Sequence, residues 1–143
     1  MTTSPTILIV DDDEGHAILI RENLEAAGLR NHIRHFRDGQ AILDFFFKDP
    51  PRVSDTYLIL LDIRMPKVDG IEVLRRIKAD PALRKLPVIM LTTTDDSRDV
   101  VRCHELGCNV YMQKPVDYER FSEAIRRLGQ FVPLLHLPQL SPG

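Results

Sequence analysis

The sequence predicts an α/β fold in which five parallel strands form one doubly wound sheet. Apolar runs at 7–10, 57–61 and 87–91 are short, do not alternate with polar residues, and are rich in leucine or β-branched residues. This pattern is typical of strands that are covered on both faces. Helical patterns lie between the strands, so strand–helix units follow one another along the chain. Right-handed crossovers then place helices on both faces of the sheet.

Two weaker strands complete the predicted sheet. Residues 32–36 form the second strand, and residues 109–113 form the fifth. Residues 48–56, which include Pro50 and Pro51, separate the second helix from the third strand. This segment is long for a connection inside a compact domain, so we expect a surface loop there.

The helices are predicted from apolar spacing and from the residues at their ends. The first stops at Gly28, a residue that commonly ends helices. The second runs from about 39 to 47 behind Asp38, a favourable N-cap. The third ends before Asp80–Pro81, because a residue that precedes proline avoids helical geometry.

The last two helices have equally clear signals. The fourth follows Ser97, which is predicted as its N-cap, and stops at Gly107. The fifth follows Asp117 and shows one apolar stripe, formed by Phe121, Ala124, Ile125 and Leu128. Proline at 133 prevents this helix from continuing without strain. We therefore predict one domain at 6–129 and an apolar, proline-containing C-terminal extension at 130–143.

The composition argues against several classes of partner. The 143 residues carry a formal net charge of −2, so there is no overall electrostatic case for binding nucleic acid or an anionic membrane. No apolar stretch approaches the roughly 20 residues of a membrane span, and the N-terminus lacks the pattern of a secretory signal. Cys103 and Cys108 do not suggest a disulfide framework. We expect a cytoplasmic protein that binds neither nucleic acid nor membrane.

Polar residues stand at the C-terminal ends of four predicted strands. In an open parallel sheet these ends meet in one crevice, where α/β proteins bind ligands. Acids, a hydroxyl and an ammonium around one carboxylate favour a Mg²⁺-assisted phosphate site. The residues concerned are Asp11, Asp12 and Asp13 after the first strand, Asp62 after the third, Thr92 after the fourth and Lys114 after the fifth. The five histidines form no metal-binding pattern. Two positions are open for His16, the lining of the crevice and the solvent, and we expect it to be exposed to solvent.

Four short motifs in this order resemble the receiver domain of two-component response regulators, the CheY-like family. They are Val10-Asp11-Asp12, Leu61-Asp62-Ile63-Arg64-Met65-Pro66 with Asp69-Gly70, Leu91-Thr92-Thr93, and Lys114-Pro115. Each motif alone is common, but all of them at strand ends are highly specific. The resemblance covers about residues 6–129. It implies a flavodoxin-like sheet with strand order 2-1-3-4-5.

The resemblance also implies a role for each residue in the crevice. Asp62 would be the phosphoacceptor, and Thr92 and Lys114 would contact phosphoryl oxygens. Tyr111 matches the aromatic switch position of the family. The Mg²⁺ ligands would be the carboxylates of Asp11, Asp12 and Asp62 and the backbone carbonyl of Arg64, although a one-residue shift of the first strand would substitute Asp13. The implied phosphodonor is a partner histidine kinase. Enzyme activity would be limited to self-phosphorylation and autodephosphorylation.

A narrower resemblance is to single-domain receivers that serve phytochrome kinases. It rests on the long loop, on the segment Leu60-Leu61-Asp62-Ile63-Arg64-Met65-Pro66-Lys67 and on the apolar tail. It implies a bacteriophytochrome-type kinase as the partner. The exposed leucines of the tail suggest a homodimer contact, and a tail that folds back on its own domain is the alternative.

Two other functional classes remain open from the sequence. An aspartate-nucleophile phosphatase usually has a second aspartate two residues after its nucleophile, and Arg64 occupies that place. A pseudo-receiver that binds partners without phosphorylation is disfavoured by the complete set of Asp62, Thr92 and Lys114. We also expect the side chain of Arg64 to lie at the mouth of the site and to alter the lifetime of a phosphoryl group.

Overall fold

The computed structural model describes residues 5–29, 33–48, 56–115 and 117–134. Its strands are β1 (Thr6–Val10), β2 (Ile33–Phe36), β3 (Tyr57–Leu61), β4 (Val88–Thr92) and β5 (Val110–Gln113). They pair in parallel in the order β2-β1-β3-β4-β5. The predicted fold class and strand order are therefore confirmed.

Helices alternate with the strands along the chain. They are α1 (Glu14–Ala26), α2 (Gly39–Phe47), α3 (Gly70–Ala79), α4 (Ser97–Leu106) and α5 (Tyr118–Phe131), and a short 3₁₀ turn at Val132–Leu134 follows α5. The predicted ends at Asp80 and Gly107 are confirmed, and Gly107 has a left-handed backbone with φ of 102°. No helix in these described ranges is both long and apolar enough to cross a membrane.

An aspartate caps the N-terminus of each of these helices, accepting hydrogen bonds from backbone N–H groups of the first turn. Asp38 does so as predicted, and Asp117, which the fifth helix was predicted to follow, does so as well. Ser97 was predicted to cap α4, but Asp96 does so and Ser97 is the first helical residue. The carboxylate of Asp96 accepts from the backbone N–H of Arg98 at 2.9 Å and also pairs with the Arg98 guanidinium at 2.8 Å. A serine hydroxyl carries no charge and could not form this ion pair.

Two hydrophobic cores cover the two faces of the sheet. Leu8 and Val10 of β1 point into a core built with α2, α3 and α4, whereas Ile7 and Ile9 point into a core built with α1 and α5. Strands β3 and β4 are buried along their whole length. This double covering explains why the apolar runs do not alternate, and it holds the C-terminal ends of the central strands rigidly side by side.

The end of α5 belongs to the second core. The helix runs through residue 129 to Phe131, and the next residue, Val132, is 1% exposed and packs with α1 and α5 residues. The predicted loop at 48–56 lies largely outside the described residues, as does the tail beyond residue 134.

Candidate functional site

Backbone pairing brings four strand ends to the same level. The N–H of Asp62 donates to the carbonyl of Val10 at 2.9 Å, and the N–H of Lys114 donates to the carbonyl of Thr92 at 2.7 Å. The N–H of Asp11 donates to the carbonyl of Phe36 at 3.0 Å. The sheet register therefore places Asp11, Asp62, Thr92 and Lys114 around one crevice.

The ammonium of Lys114 lies between two buried carboxylates. Its Nζ atom is 2.5 Å from Oδ2 of Asp11 and 3.4 Å from Oδ2 of Asp62. The Lys114 side chain is 1% exposed. One positive charge faces two negative charges in a region of low dielectric, so the group has a deficit of positive charge.

Burial raises the pKa of Asp11, because the loss of hydration outweighs the attraction of Lys114, and the Asp62 carboxylate raises it further. The backbone N–H of Asp13 donates to Oδ1 of Asp11 at 2.9 Å and partly opposes this effect. Such destabilised buried carboxylates are typical of functional sites. A cation bound by the oxygens of Asp11 and Asp62 would reduce the repulsion between the two carboxylates.

A third acid completes a possible metal site. Carboxylate oxygens of Asp11, Asp12 and Asp62 all lie within 4.8 Å of one another. Asp12 is exposed, whereas the other two acids are buried, so the cluster has an open side toward solvent. Hard oxygen ligands with room for water suit Mg²⁺. Asp13 instead caps α1 through a hydrogen bond from the backbone N–H of His16.

The open side of the acid cluster leads into a cavity of about 520 Å³. Arg64 is exposed at this cavity, which is otherwise lined by Asp12, Ile63, Met65, Asp69, Ile71 and Asp99. The positive charge of Arg64 also contributes, after the larger effect of Arg98, to the lowered pKa of Asp96, which is about 2.

Thr92 and Tyr111 are connected through the loop after β4. Thr92 is completely buried, and its hydroxyl accepts from the N–H of Thr94 at 3.4 Å. The Tyr111 hydroxyl donates to the carbonyl of Thr94 at 2.9 Å, and burial raises the pKa of Tyr111 to about 12. Any movement of the 92–94 backbone would therefore act directly on the Tyr111 ring.

His16 was expected in solvent, and the alternative position in the crevice is the one that the structure shows. Its Nδ1 atom lies 3.1 Å from Nζ of Lys114 and its ring packs against Phe121 with 5.5 Å between ring centroids. The sequence position of His16 was the available signal for a place in the crevice, because the first turn of α1 lies beside the C-terminal end of β1. The direction of the side chain depends on Lys114, 98 residues away in sequence.

Comparisons with known proteins agree with this geometry. The family model described as response regulator receiver domain matches residues 7–126. A response regulator receiver domain from Rhodospirillum rubrum has a TM-score of 0.91 and 44% identity over 96% of this chain and 99% of its own. The phosphorylated cyanobacterial phytochrome response regulator RcpA has a TM-score of 0.87 and 28% identity, covering 96% and 100% of the two chains.

Response regulator Rcp1 of Synechocystis sp. is similar over most of its length. The two sequences are 33% identical over 130 residues, which cover 87% of this chain and 86% of Rcp1. The Mn²⁺-bound structure of Rcp1 has a TM-score of 0.85 and covers 94% of this chain and 99% of its own.

Proposed function

The chain belongs to the response regulator receiver domain family, and from this premise we propose that it accepts a phosphoryl group on Asp62 from a partner histidine kinase. The observation that carries the proposal is the buried Asp62 carboxylate, with Lys114 at 3.4 Å and two further acids within reach. We place this exchange in the cytoplasm. No other enzyme activity is proposed.

The two oxygens of Asp62 have different surroundings. Oδ1 accepts the backbone N–H of Ile63 at 2.8 Å, which fixes the carboxylate plane. Oδ2 faces Lys114 and is the oxygen that we assign to attack phosphorus. A P–Oδ2 bond forms as the P–N bond to the kinase histidine breaks. Phosphoryl transfer has a loose transition state, so the protein contributes mainly position and charge.

Each residue of the crevice would have a separate role in this transfer. The Lys114 ammonium would pair with one phosphoryl oxygen as a point charge, and the Thr92 hydroxyl would donate to another. Asp11, Asp12, Asp62 and the carbonyl of Arg64 would hold Mg²⁺. When bound, Mg²⁺ offsets the repulsion between these acids and the phosphoryl group. The existence of a Mn²⁺-bound form of the similar protein Rcp1 supports a divalent cation as the cofactor.

Tyr111 would transmit the phosphorylated state. Its hydroxyl is tied to the carbonyl of Thr94, two residues after Thr92. Recruitment of the Thr92 hydroxyl by a phosphoryl oxygen would shift this loop and the Tyr111 side chain with it. The face formed by α4, β5 and α5 would change, and this face is where we place the output contact.

Incubation with acetyl phosphate and Mg²⁺ tests the proposal. We expect one phosphoryl adduct by intact-mass spectrometry, and no adduct when EDTA replaces Mg²⁺. Absence of any adduct would favour a pseudo-receiver, which binds partners without phosphorylation. Repeated turnover of diverse phosphate esters would favour an aspartate-nucleophile phosphatase.

The proposed kinase is of the phytochrome type. Support comes from the likeness to RcpA, a phytochrome response regulator, over nearly the whole of both chains. Transfer from a radiolabelled bacteriophytochrome kinase, compared with transfer from an unrelated histidine kinase, measures this preference. Equal transfer rates from both kinases would remove the assignment.

Arg64 is expected to prolong the life of the phosphoryl group. Its exposed side chain borders the cavity that opens from the acid cluster, where it would shield the adduct from water or pair with an oxygen. We expect Arg64→Ala to dephosphorylate about threefold faster, in line with a partly solvated charge interaction. Loss of adduct with time gives the rate.

Arg98→Ala is the matched control, since Arg98 pairs with Asp96 and is not part of the cavity lining. Identical dephosphorylation rates for Arg64→Ala and the parent would contradict this role of Arg64.

We also propose a homodimer through the face formed by α4, β5 and α5 and through the apolar extension at 130–143. Phe131 and Tyr118 are 64% and 67% exposed on α5, and Val110 of β5 is 44% exposed. Sedimentation velocity should show a dimer for the full chain and a monomer for a chain cut after Leu134. Cutting after Gly129 would also remove the buried Val132 and damage the core. An unchanged mass after truncation would instead indicate a tail that folds back on its own domain.

A further inference from the structure

The ammonium of Lys114 has a partner for each of its three hydrogens. Oδ2 of Asp11 lies at 2.5 Å, Nδ1 of His16 at 3.1 Å and Oδ2 of Asp62 at 3.4 Å. Two of these partners are acids of the site already described. His16 is the remaining partner, and it is a neutral acceptor that the proposed function has not used.

The chemistry of this contact defines the state of the His16 ring. An ammonium can donate hydrogen bonds but cannot accept them, so Nδ1 must present its lone pair. The imidazole is then neutral, with its proton on Nε2. The same Nδ1 atom is 3.6 Å from Oδ2 of Asp13, which is longer than a hydrogen bond. The closer contact with Lys114 therefore determines the tautomer.

The ring is held from two further directions. The backbone N–H of His16 donates to the Asp13 cap at 3.1 Å, which fixes the residue in the first turn of α1. The ring of Phe121 on α5 packs against the imidazole at an interplanar angle of 46°. His16 is thus a rigid acceptor, placed by α1 and α5 against a lysine that follows β5.

We infer that His16 is a positioning residue for phosphoryl transfer, which holds the Lys114 ammonium in reach of Asp62. This inference rests on the proposed function. Nζ of Lys114 already lies closer to Asp11 than to Asp62, at 2.5 Å from Oδ2 of Asp11 and 3.4 Å from Oδ2 of Asp62. Without His16, one N–H of a buried ammonium would lose its acceptor and Asp11 would attract the charge away from the phosphoacceptor. The phosphoryl oxygens would then meet a misplaced cation.

Two substitutions separate the acceptor from the bulk of the ring. His16→Phe keeps an aromatic ring against Phe121 but removes the acceptor. His16→Asn places an amide oxygen at the same number of bonds from the backbone as Nδ1. A hydrogen bond to a charged group is a strong one, so we expect the saturating rate of acetyl phosphate uptake to fall about tenfold in His16→Phe and to recover in His16→Asn.

Two measurements on the unphosphorylated protein accompany the rates. Mg²⁺ affinity by calorimetry should change less than about twofold in both variants, because the proposed metal ligands are untouched. The ammonium signal of Lys114 in ¹⁵N NMR, assigned by its loss in Lys114→Met, should stay protected from water in the parent and His16→Asn. In His16→Phe it should broaden through exchange.

Each outcome decides the inference. A slow His16→Phe, a restored His16→Asn and a matching change in the Lys114 signal support positioning. A His16→Phe variant that takes up phosphoryl groups at the parent rate, or whose Lys114 signal is unchanged, overturns positioning and leaves the proposed function intact. Equal slowing of both variants shows a merely structural role and also overturns it. A parent that forms no adduct removes the proposed function and the inference together.

Discussion

Asp62→Asn is expected to abolish phosphoryl uptake from acetyl phosphate. The amide oxygen carries no formal charge, so it cannot replace a carboxylate as the attacking group at phosphorus. The substitution also takes one of three acids from the cluster with Asp11 and Asp12, so Mg²⁺ affinity should fall as well. Intact-mass spectrometry after incubation with acetyl phosphate and Mg²⁺ gives the result directly.

The folded state should tolerate this change. Asp62 raises the pKa of Asp11 by repulsion, so its removal relieves an unfavourable interaction between buried charges. We therefore expect the unfolding temperature of Asp62→Asn in the absence of Mg²⁺ to equal or exceed that of the parent. Lost uptake in a fully folded variant would then report on chemistry alone.

A second acid near the site provides the control. Asp69 borders the same cavity but serves as the N-cap of α3, a position where asparagine is equally favourable. Asp69→Asn should keep its adduct. An adduct that persists in Asp62→Asn, or that disappears equally in both variants, would contradict the assignment of Asp62.

Gly70→Ala is expected to be, together with Gly39→Ala, one of the two most destabilising glycine-to-alanine changes among the described residues. A Cβ atom at Gly70 would lie 1.9 Å from the carbonyl oxygen of Asp62 and 2.9 Å from Cα of Ile63. Both are backbone atoms at the end of a buried strand and cannot move aside cheaply. Overpacking of this kind costs about 3 kcal/mol. Urea unfolding followed by circular dichroism measures the loss.

Gly28→Ala separates steric conflict from backbone strain. Gly28 has φ of 100° but no atom within 4 Å of an added Cβ, so only the left-handed conformation is penalised, by about 1 kcal/mol. Gly70→Ala should also slow phosphoryl uptake, because the first turn of α3 presses on the backbone of Asp62, the proposed phosphoacceptor. Equal losses of unfolding free energy in Gly70→Ala and Gly28→Ala would show that the close approach at Gly70 does not determine the stability loss.

Much of the fold could be predicted because local signals and burial agree. The runs in β1, β3 and β4 do not alternate since both faces of these strands are covered, and this pattern is visible in the sequence alone. The N-cap of α4 could not be predicted to the residue. Asp96 and Ser97 are both good caps, and the choice was made by a second contact between Asp96 and the Arg98 guanidinium.

The candidate site was predictable only where the backbone determines it. Asp11, Asp62, Thr92 and Lys114 are brought together by strand register, which follows from the order of the strands. His16 enters through the packing of α1 against α5 and through a ring rotamer, which depend on residues far apart in sequence. No local pattern encodes such a contact.

The pair formed by Lys114 and Asp11 joins positions 103 residues apart. During synthesis the acids of the first strand emerge early, whereas their cation emerges only after the last strand. A ribosome-bound chain that stops before β5 therefore has no such countercharge, however well its earlier strands have associated. Under the proposed function, competence to accept a phosphoryl group would therefore arise only after β5 has joined the sheet.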